Sequence, residues 1–166
     1  ACTELGIAVA EGSGSPVAPA EMTWALLMAA AKRLPHYIAH LKHGAWQQSG
    51  LKASNMPANF CLPTTLKGQT LGVWGYGRIG RLVASYGKAF GMRVLVWGRE
   101  PSRERAALDG FDVADTRDSL FEQSDFLSLH LRLTDSTMAV VTAEDLARMK
   151  PTATLINISQ IGRAHV

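Results

Sequence analysis

Gly75, Gly77 and Gly80 stand at the spacing G-x-G-x-x-G, within the run Gly72-Val-Trp-Gly-Tyr-Gly-Arg-Ile-Gly. Glycines at this spacing can bind an anion through the main chain. The first permits a sharp turn, the second lets phosphates approach the backbone, and the third lets a helix pack closely on a strand. The start of that helix offers free N–H groups and a partial positive charge. The chemistry expected of Gly75, Tyr76, Gly77, Arg78, Ile79 and Gly80 is therefore the holding of a dinucleotide pyrophosphate. Glycine is frequent here, 15 of 166 residues, so the spacing alone would also suit a plain turn in an α/β protein.

A second group follows at Val96-Trp97-Gly98-Arg99-Glu100. In this kind of unit a carboxylate at the end of the second strand usually holds the adenosine ribose hydroxyls. Gly98 occupies that place. Arg99 could pair with a 2′-phosphate, which tilts the reading from NAD towards NADP, and Glu100 stays within reach of a ribose. Trp97, Gly98 and Arg99 are the candidates at the adenosine end. Arg103 and Arg105 could add to a phosphate pocket or face solvent on a helix. His130 ends the apolar run Asp125-Phe-Leu-Ser-Leu-His. Strand C-termini of a doubly wound sheet face the ligand crevice, which makes His130 and Leu131 candidate cofactor neighbours. A buried, hydrogen-bonded histidine is the competing expectation. No nucleophile–base pair and no metal-ligand spacing are apparent.

These residues need a scaffold. Apolar runs predict strands near 71–74, 93–97, 111–113, 126–130 and 153–158, with helices near 78–90, 102–109, 117–122 and 143–149. Thr142 ahead of Ala-Glu-Asp predicts an N-cap. The alternation implies a parallel sheet covered on both faces. Upstream, residues 5–9 read as a short strand. A long helix is expected from 17 to 34, with Pro19 in its first turn, Glu21 at its positive end, and Lys32 and Arg33 in its last turn. Its apolar face would be Ala20, Trp24, Leu27, Met28, Ala31 and Leu34. Pro35 breaks or bends the run, and a shorter helix follows over 37–47. Trp24, Tyr37 and Trp46 are expected to pack in the core, and residues 49–64 to form a loop.

Composition sets the outer bounds. The chain of 166 residues has 47% hydrophobic and 19% charged residues and a net charge of +3, as for a soluble globular domain with a real core. The basic residues are scattered, so nucleic acid is not suggested. No apolar run approaches membrane-spanning length. Cys2 and Cys61 are isolated, which suits reduced thiols and a cytoplasmic setting. The chain begins with Ala and shows no signal-peptide pattern, and a fragment is expected.

Together the motifs resemble the D-isomer-specific 2-hydroxyacid dehydrogenase family, which includes phosphoglycerate dehydrogenase and hydroxypyruvate reductase. The matching segments are Glu21-Met-Thr-Trp-Ala-Leu-Leu, Leu66-Lys-Gly-Gln-Thr-Leu-Gly leading into the glycine turn, Ser128-Leu-His-Leu-Arg-Leu-Thr, and Met149-Lys-Pro-Thr-Ala-Thr-Leu-Ile-Asn. They are in register from Ala1 to about Ser159.

The resemblance implies an incomplete α/β doubly wound parallel sheet (Rossmann) preceded by a long interdomain helix. Residues 1–15 would be the remnant of a split substrate domain, and 16–159 a truncated NAD(P)-binding domain. It also implies a parent oxidoreductase that transfers hydride between NAD(P) and a D-2-hydroxy acid or 2-keto acid, and that dimerises with a second copy. Arg78 and Ile79 would lie at the pyrophosphate, Leu131 and Thr134 near the cofactor, and Ile158 and Ser159 at the end of the last strand. Arg132 stands where many members have proline. The family's substrate-binding arginine falls at Gln160, and its glutamate and histidine segments are not present. No catalytic residue is therefore expected within the chain, and the fragment should be inactive. A non-enzymatic dinucleotide-binding module, as in corepressors that share this scaffold, is the alternative.

Residues 160–166, Gln-Ile-Gly-Arg-Ala-His-Val, are what CAG ATC GGA AGA GCA CAC GTC encodes. That is a common sequencing adapter preceded by one base, so a non-native tail is expected there, which the underlying DNA would settle.

Overall fold

The computed structural model describes residues 4–5, 14–42 and 63–158. The strand expected at 5–9 (apart from Leu5), Trp46, most of the 49–64 loop, both cysteines, Ser159 and the segment 160–166 lie outside the described residues.

Five parallel strands form one sheet in the order β3-β2-β1-β4-β5. They are β1 (Thr70–Trp74), β2 (Arg93–Trp97), β3 (Asp112–Val113), β4 (Phe126–Leu129) and β5 (Thr154–Asn157). Each matches a predicted strand to within a residue or two. The central strand β1 is buried along its whole length. Its side chains alternate between the faces, as the two-residue period of a strand requires. Leu71 and Val73 join Val94, Val96, Leu27 and Val83 in one core. Trp74 joins Leu95, Leu120, Phe121 and Leu127 in the other. Two cores of this kind are what an apolar parallel sheet needs, since helices must cover both sides.

The helices between the strands are α3 (Arg78–Ala89), α4 (Glu100–Leu108), α5 (Arg117–Gln123) and α6 (Ala143–Arg148). The Thr142 cap is present: its hydroxyl accepts from the Asp145 N–H, and the Asp145 carboxylate accepts from the Thr142 N–H in return. Helix α4 begins two residues earlier than predicted. Pro101 falls in its first turn, where the missing N–H costs nothing.

Upstream, α1 (Val17–Ala31) and α2 (Leu34–Lys42) replace the predicted long helix and its successor. A helix running through Pro35 would drive its ring into the Ala31 carbonyl four residues back. The helix ends at Ala31 instead, Arg33 takes a φ of 53°, and the freed Ala31 carbonyl accepts from the Thr64 N–H at 2.8 Å. Lys32 is therefore the C-cap rather than part of a last turn, Arg33 lies beyond it, and Glu21 sits past the first turn. Ala20, Leu27 and Ala31 face the core as expected, joined by Thr23, whose hydroxyl donates to the Pro19 carbonyl. Trp24 packs on Tyr86 and Phe90. Leu34 is exposed, and Tyr37 is only half-buried on a helix with no buried residue. Core packing therefore describes Trp24 but not Tyr37.

Candidate functional site: a cleft at the strand ends

The sheet order reverses at β1, whose neighbours β2 and β4 lead their chains away in opposite directions. Such a switch point opens a crevice beyond the strand C-termini. The main chain fixes its floor. Gly75 N–H donates to the Trp97 carbonyl at 2.9 Å, and His130 N–H donates to the Trp74 carbonyl at 2.8 Å. The ends of β2, β1 and β4 are thereby held side by side.

The glycines then play three distinct parts. Gly75 adopts φ 101°, and a Cβ there would lie 2.6 Å from the His130 carbonyl oxygen. Only glycine makes that turn without strain. At Gly80 a Cβ would lie 2.1 Å from the Gly75 carbonyl oxygen, so the first turn of α3 seats directly on the end of β1. At Gly77, the N-cap of α3, none of the described residues stands within 4 Å of where a Cβ would be. No side chain caps this helix. Its first N–H groups lack intrahelical acceptors and leave a ready anion site beside open space. The turn therefore fits a pyrophosphate.

The cleft has a volume of about 660 Å3. Of the residues picked from sequence, Gly75, Tyr76, Gly77, Trp97, Gly98, Arg99, His130, Leu131 and Thr134 line it together. Four others do not line it. Arg78 and Gly80 belong to the first turn of α3, and the Arg78 guanidinium donates to the Gly14 carbonyl at 3.2 Å. Ile79 packs its side chain against the core. Ile158 follows β5 and is half-buried. Tyr76 turns its ring away into the core. Its hydroxyl donates to Asp109 at 2.8 Å, and burial, then that carboxylate, raise its pKa to about 12.

On the β2 side, Gly98 carries no carboxylate. A Cβ there would meet the Ser102 Cβ at 3.4 Å and Gly75 at 3.9 Å, both ordinary contacts. Glu100 forms an ion pair with Arg103, which also lies 4.9 Å from the centre of the Trp97 ring. Arg105 is exposed and outside the cleft. On the β4 side, the structure shows His130 both at the cleft and in a hydrogen bond. It lines the cleft, and its Nε2 is 2.9 Å from the buried Ser128 hydroxyl. Its Nδ1 is buried with no hydrogen-bond partner among the described residues. Burial pushes its pKa down to about 4, so the ring is neutral at pH 7.

Ser102, Ser136, Thr137 and Val140 also line the cleft and were not picked out from sequence, as does Trp74. For Ser102 the available signal was its place in the first turn after the β2 end. For Ser136 and Thr137 it was the Thr134-Asp-Ser-Thr cluster, which folds into a hydroxyl-bonded turn in which Thr137 accepts from the Thr134 N–H at 2.8 Å. Among the described residues no group of acids, histidines and cysteines could hold a metal, and no helix is long and apolar enough to cross a membrane.

Known proteins share this sequence and fold. Residues 24–164 match the family model of the D-isomer specific 2-hydroxyacid dehydrogenase NAD binding domain. The chain is 41% identical over 156 residues to a glyoxylate reductase of Aeropyrum pernix, a match covering 93% of this chain and 45% of that protein. It is 35% identical to a D-3-phosphoglycerate dehydrogenase of Methanocaldococcus jannaschii, covering 98% of this chain and 29% of that one. Among solved structures, an oxidoreductase of Ralstonia solanacearum is 66% identical with a TM-score of 0.86, covering 95% of this chain and 46% of its own. A phosphoglycerate oxidoreductase of Vibrio cholerae is 44% identical with a TM-score of 0.87, covering 99% and 50%. The chain thus spans half or less of the length of these relatives. None of these findings favours a non-enzymatic module. The glycine turn, the switch point above it and the match across most of the chain agree: this chain belongs to the D-isomer-specific 2-hydroxyacid dehydrogenases and matches their NAD-binding domain over residues 24–164.

Proposed function

We propose that this chain holds the dinucleotide of an NAD(P)-dependent dehydrogenase that interconverts a small 2-keto acid and its D-2-hydroxy acid. The observation that carries the reading is the uncapped start of α3, set beside open space at Gly77 and seated on β1 through Gly80. Bound there, the cofactor supplies or accepts the hydride. The residues divide the work of holding it. The N–H groups of Gly77, Arg78 and Ile79 take the pyrophosphate, and Arg78 and Ile79 act through the main chain, since their side chains point elsewhere. Trp97, Gly98, Arg99 and Ser102 receive the adenosine ribose. Leu131 and Thr134 form the opposite wall, with neutral His130 between them and β1. Ile158, which follows β5, and its sequence neighbour Ser159 complete the proposed set.

Gly98 and Arg99 favour NADP over NAD, because no acid is present to repel a 2′-phosphate. Residues 16–159 are the proposed extent of the domain and 1–15 a part of the substrate domain. The proposal includes a cytoplasmic setting and a homodimer. The family's substrate arginine falls at Gln160, and the acid/base pair comes from segments outside these residues. The 166-residue chain should therefore bind cofactor without turning over a keto acid.

Titration of the purified chain with NADH and NADPH, followed by quenching of tryptophan emission, tests this. Saturable binding with NADPH tighter is expected. Gly98→Asp should reverse the order, because its Cβ fits without clash. Absence of saturable binding by either cofactor would sink the reading, and measurable reduction of glyoxylate would refute the division of labour.

A further inference from the structure

Arg132 is a cleft residue to which the proposed function above gives no part. It lines the same cleft as Arg99, from the β4 side where Arg99 approaches from the β2 side. The geometry brings the two within reach of one ligand group. Gly98 lies beside Gly75, since a Cβ added to it would stand 3.9 Å from the Gly75 Cα, and one added to Gly75 would meet His130 and Leu131. The two arginines therefore leave strand ends separated by only one intervening strand, about 9 to 10 Å apart at strand spacing.

Charge points the same way. No carboxylate lines the cleft among the described residues. Glu100, the acid nearest in sequence to Arg99, is taken by Arg103. The guanidinium groups of Arg99 and Arg132 have no ion pair or side-chain hydrogen bond among the described residues. On the proposed reading the start of α3 serves the pyrophosphate, so two further arginines remain in the lining of the same cleft. An unphosphorylated ribose would give them only hydroxyls. A phosphate monoester carries about −1.5 to −2 charge and three acceptor oxygens, enough to engage both.

We propose that Arg132 and Arg99 close on the 2′-phosphate of NADPH from opposite walls of the cleft, so that Arg132 is a second determinant of cofactor choice. This rests on the NADP reading above and adds to it a residue on the other side of the switch point. Ser102, at the foot of the same wall as Arg99, is placed to donate its hydroxyl to the same group.

The test is a set of titrations on the 166-residue chain with NADPH, NADH, 2′,5′-ADP and 5′-ADP, using the wild type, Arg99→Ala, Arg132→Ala and Arg132→Lys. Thermal melts confirm folding of each variant. Arg132→Ala is expected to weaken NADPH and 2′,5′-ADP at least tenfold, and NADH and 5′-ADP no more than twofold, with Arg132→Lys recovering part of the loss. Equal weakening of both cofactors would assign Arg132 to the pyrophosphate and overturn the proposal, as would no change in NADPH affinity. If the wild type binds NADH as tightly as NADPH, the NADP reading itself fails. If NADPH is preferred and only Arg99→Ala reduces the preference, the NADP reading stands and the role of Arg132 falls.

Discussion

Gly77 and Gly80 are the same residue type three positions apart, yet their surroundings predict opposite losses. A methyl at Gly77 enters open space at φ −88°, so Gly77→Ala should leave the melting temperature nearly unchanged while weakening cofactor binding at least tenfold. A methyl at Gly80 meets a backbone oxygen that cannot rotate aside, so Gly80→Ala should cost about 2 kcal/mol or more of stability. Chemical denaturation and cofactor titration of both variants would separate the two roles, and equal stability losses would contradict them. Such backbone requirements are legible in sequence because glycine alone meets them. The hydroxyls of Ser102, Ser136 and Thr137 were not legible, because serine and threonine are common in loops and only the turn shows which of them face the cleft. His130 lies between these cases. The end of an apolar strand placed it correctly, but its protonation state needed the structure. Its folded pKa of about 4 lies below its ordinary value of 6.5. Between those values an unfolded chain takes up a proton that the folded chain refuses. The stabilisation is complete above pH 6.5 and is lost as pH falls towards 4, by at most about 3 kcal/mol. Urea midpoints measured from pH 7 to pH 4 should show this decline, and it should flatten in His130→Gln. An unaltered slope in that variant would mean that the histidine is not buried neutral.

Helix ends were read well where the signal is local and poorly where it is not. Thr142 announced the start of α6 by its type and by the acids after it. Nothing in the sequence announced that Asp145, which completes that cap, also receives Arg117 from 28 residues away. The Arg117 Nε donates at 2.9 Å, a second nitrogen completes the fork, and the guanidinium lies 5.3 Å from the centre of the Trp74 ring. One carboxylate thus ties α6 to α5 and backs a residue that lines the cleft. Burial pushes the Asp145 pKa up, but bonds from Arg117 and Thr142 outweigh it and hold the carboxyl below its usual range. Asp145→Asn should therefore cost about 2 kcal/mol, since it removes the charge from a nearly buried site while Arg117 stays partly solvated. Urea unfolding would measure it, and a loss under half that size would mean that the fork is not structural. The same local-versus-distant distinction explains the split between α1 and α2. Pro35 was recognised as a break, but its effect falls four residues earlier, at the carbonyl of Ala31.

At the scale of the whole molecule, the two cores close around the sheet, but among the described residues one face of the upstream helices is exposed. Helix α2 buries no residue. Leu34, Ile38 and Leu41 are 45%, 53% and 55% exposed and recur at four- and three-residue steps, so they share one face. Met22 and Leu26 on α1 are exposed as well. Several large apolar side chains exposed on one helix face are a candidate contact site. The cleft is elsewhere, since none of these residues lines it. The proposed homodimer would cover this face, which gives a prediction with two independent readouts. Sedimentation of the purified chain should show a concentration-dependent dimer at micromolar levels. The double variant Ile38→Glu and Leu41→Glu should be monomeric, because each carboxylate would have to be buried against an apolar partner. Cofactor affinity should stay within twofold, because the strand ends and α3 are untouched. A wild type that stays monomeric, or a double variant that still dimerises, would show that copies of this chain do not meet through α2. A joint loss of dimer and cofactor binding would show that the helices upstream of the sheet support the cleft as well.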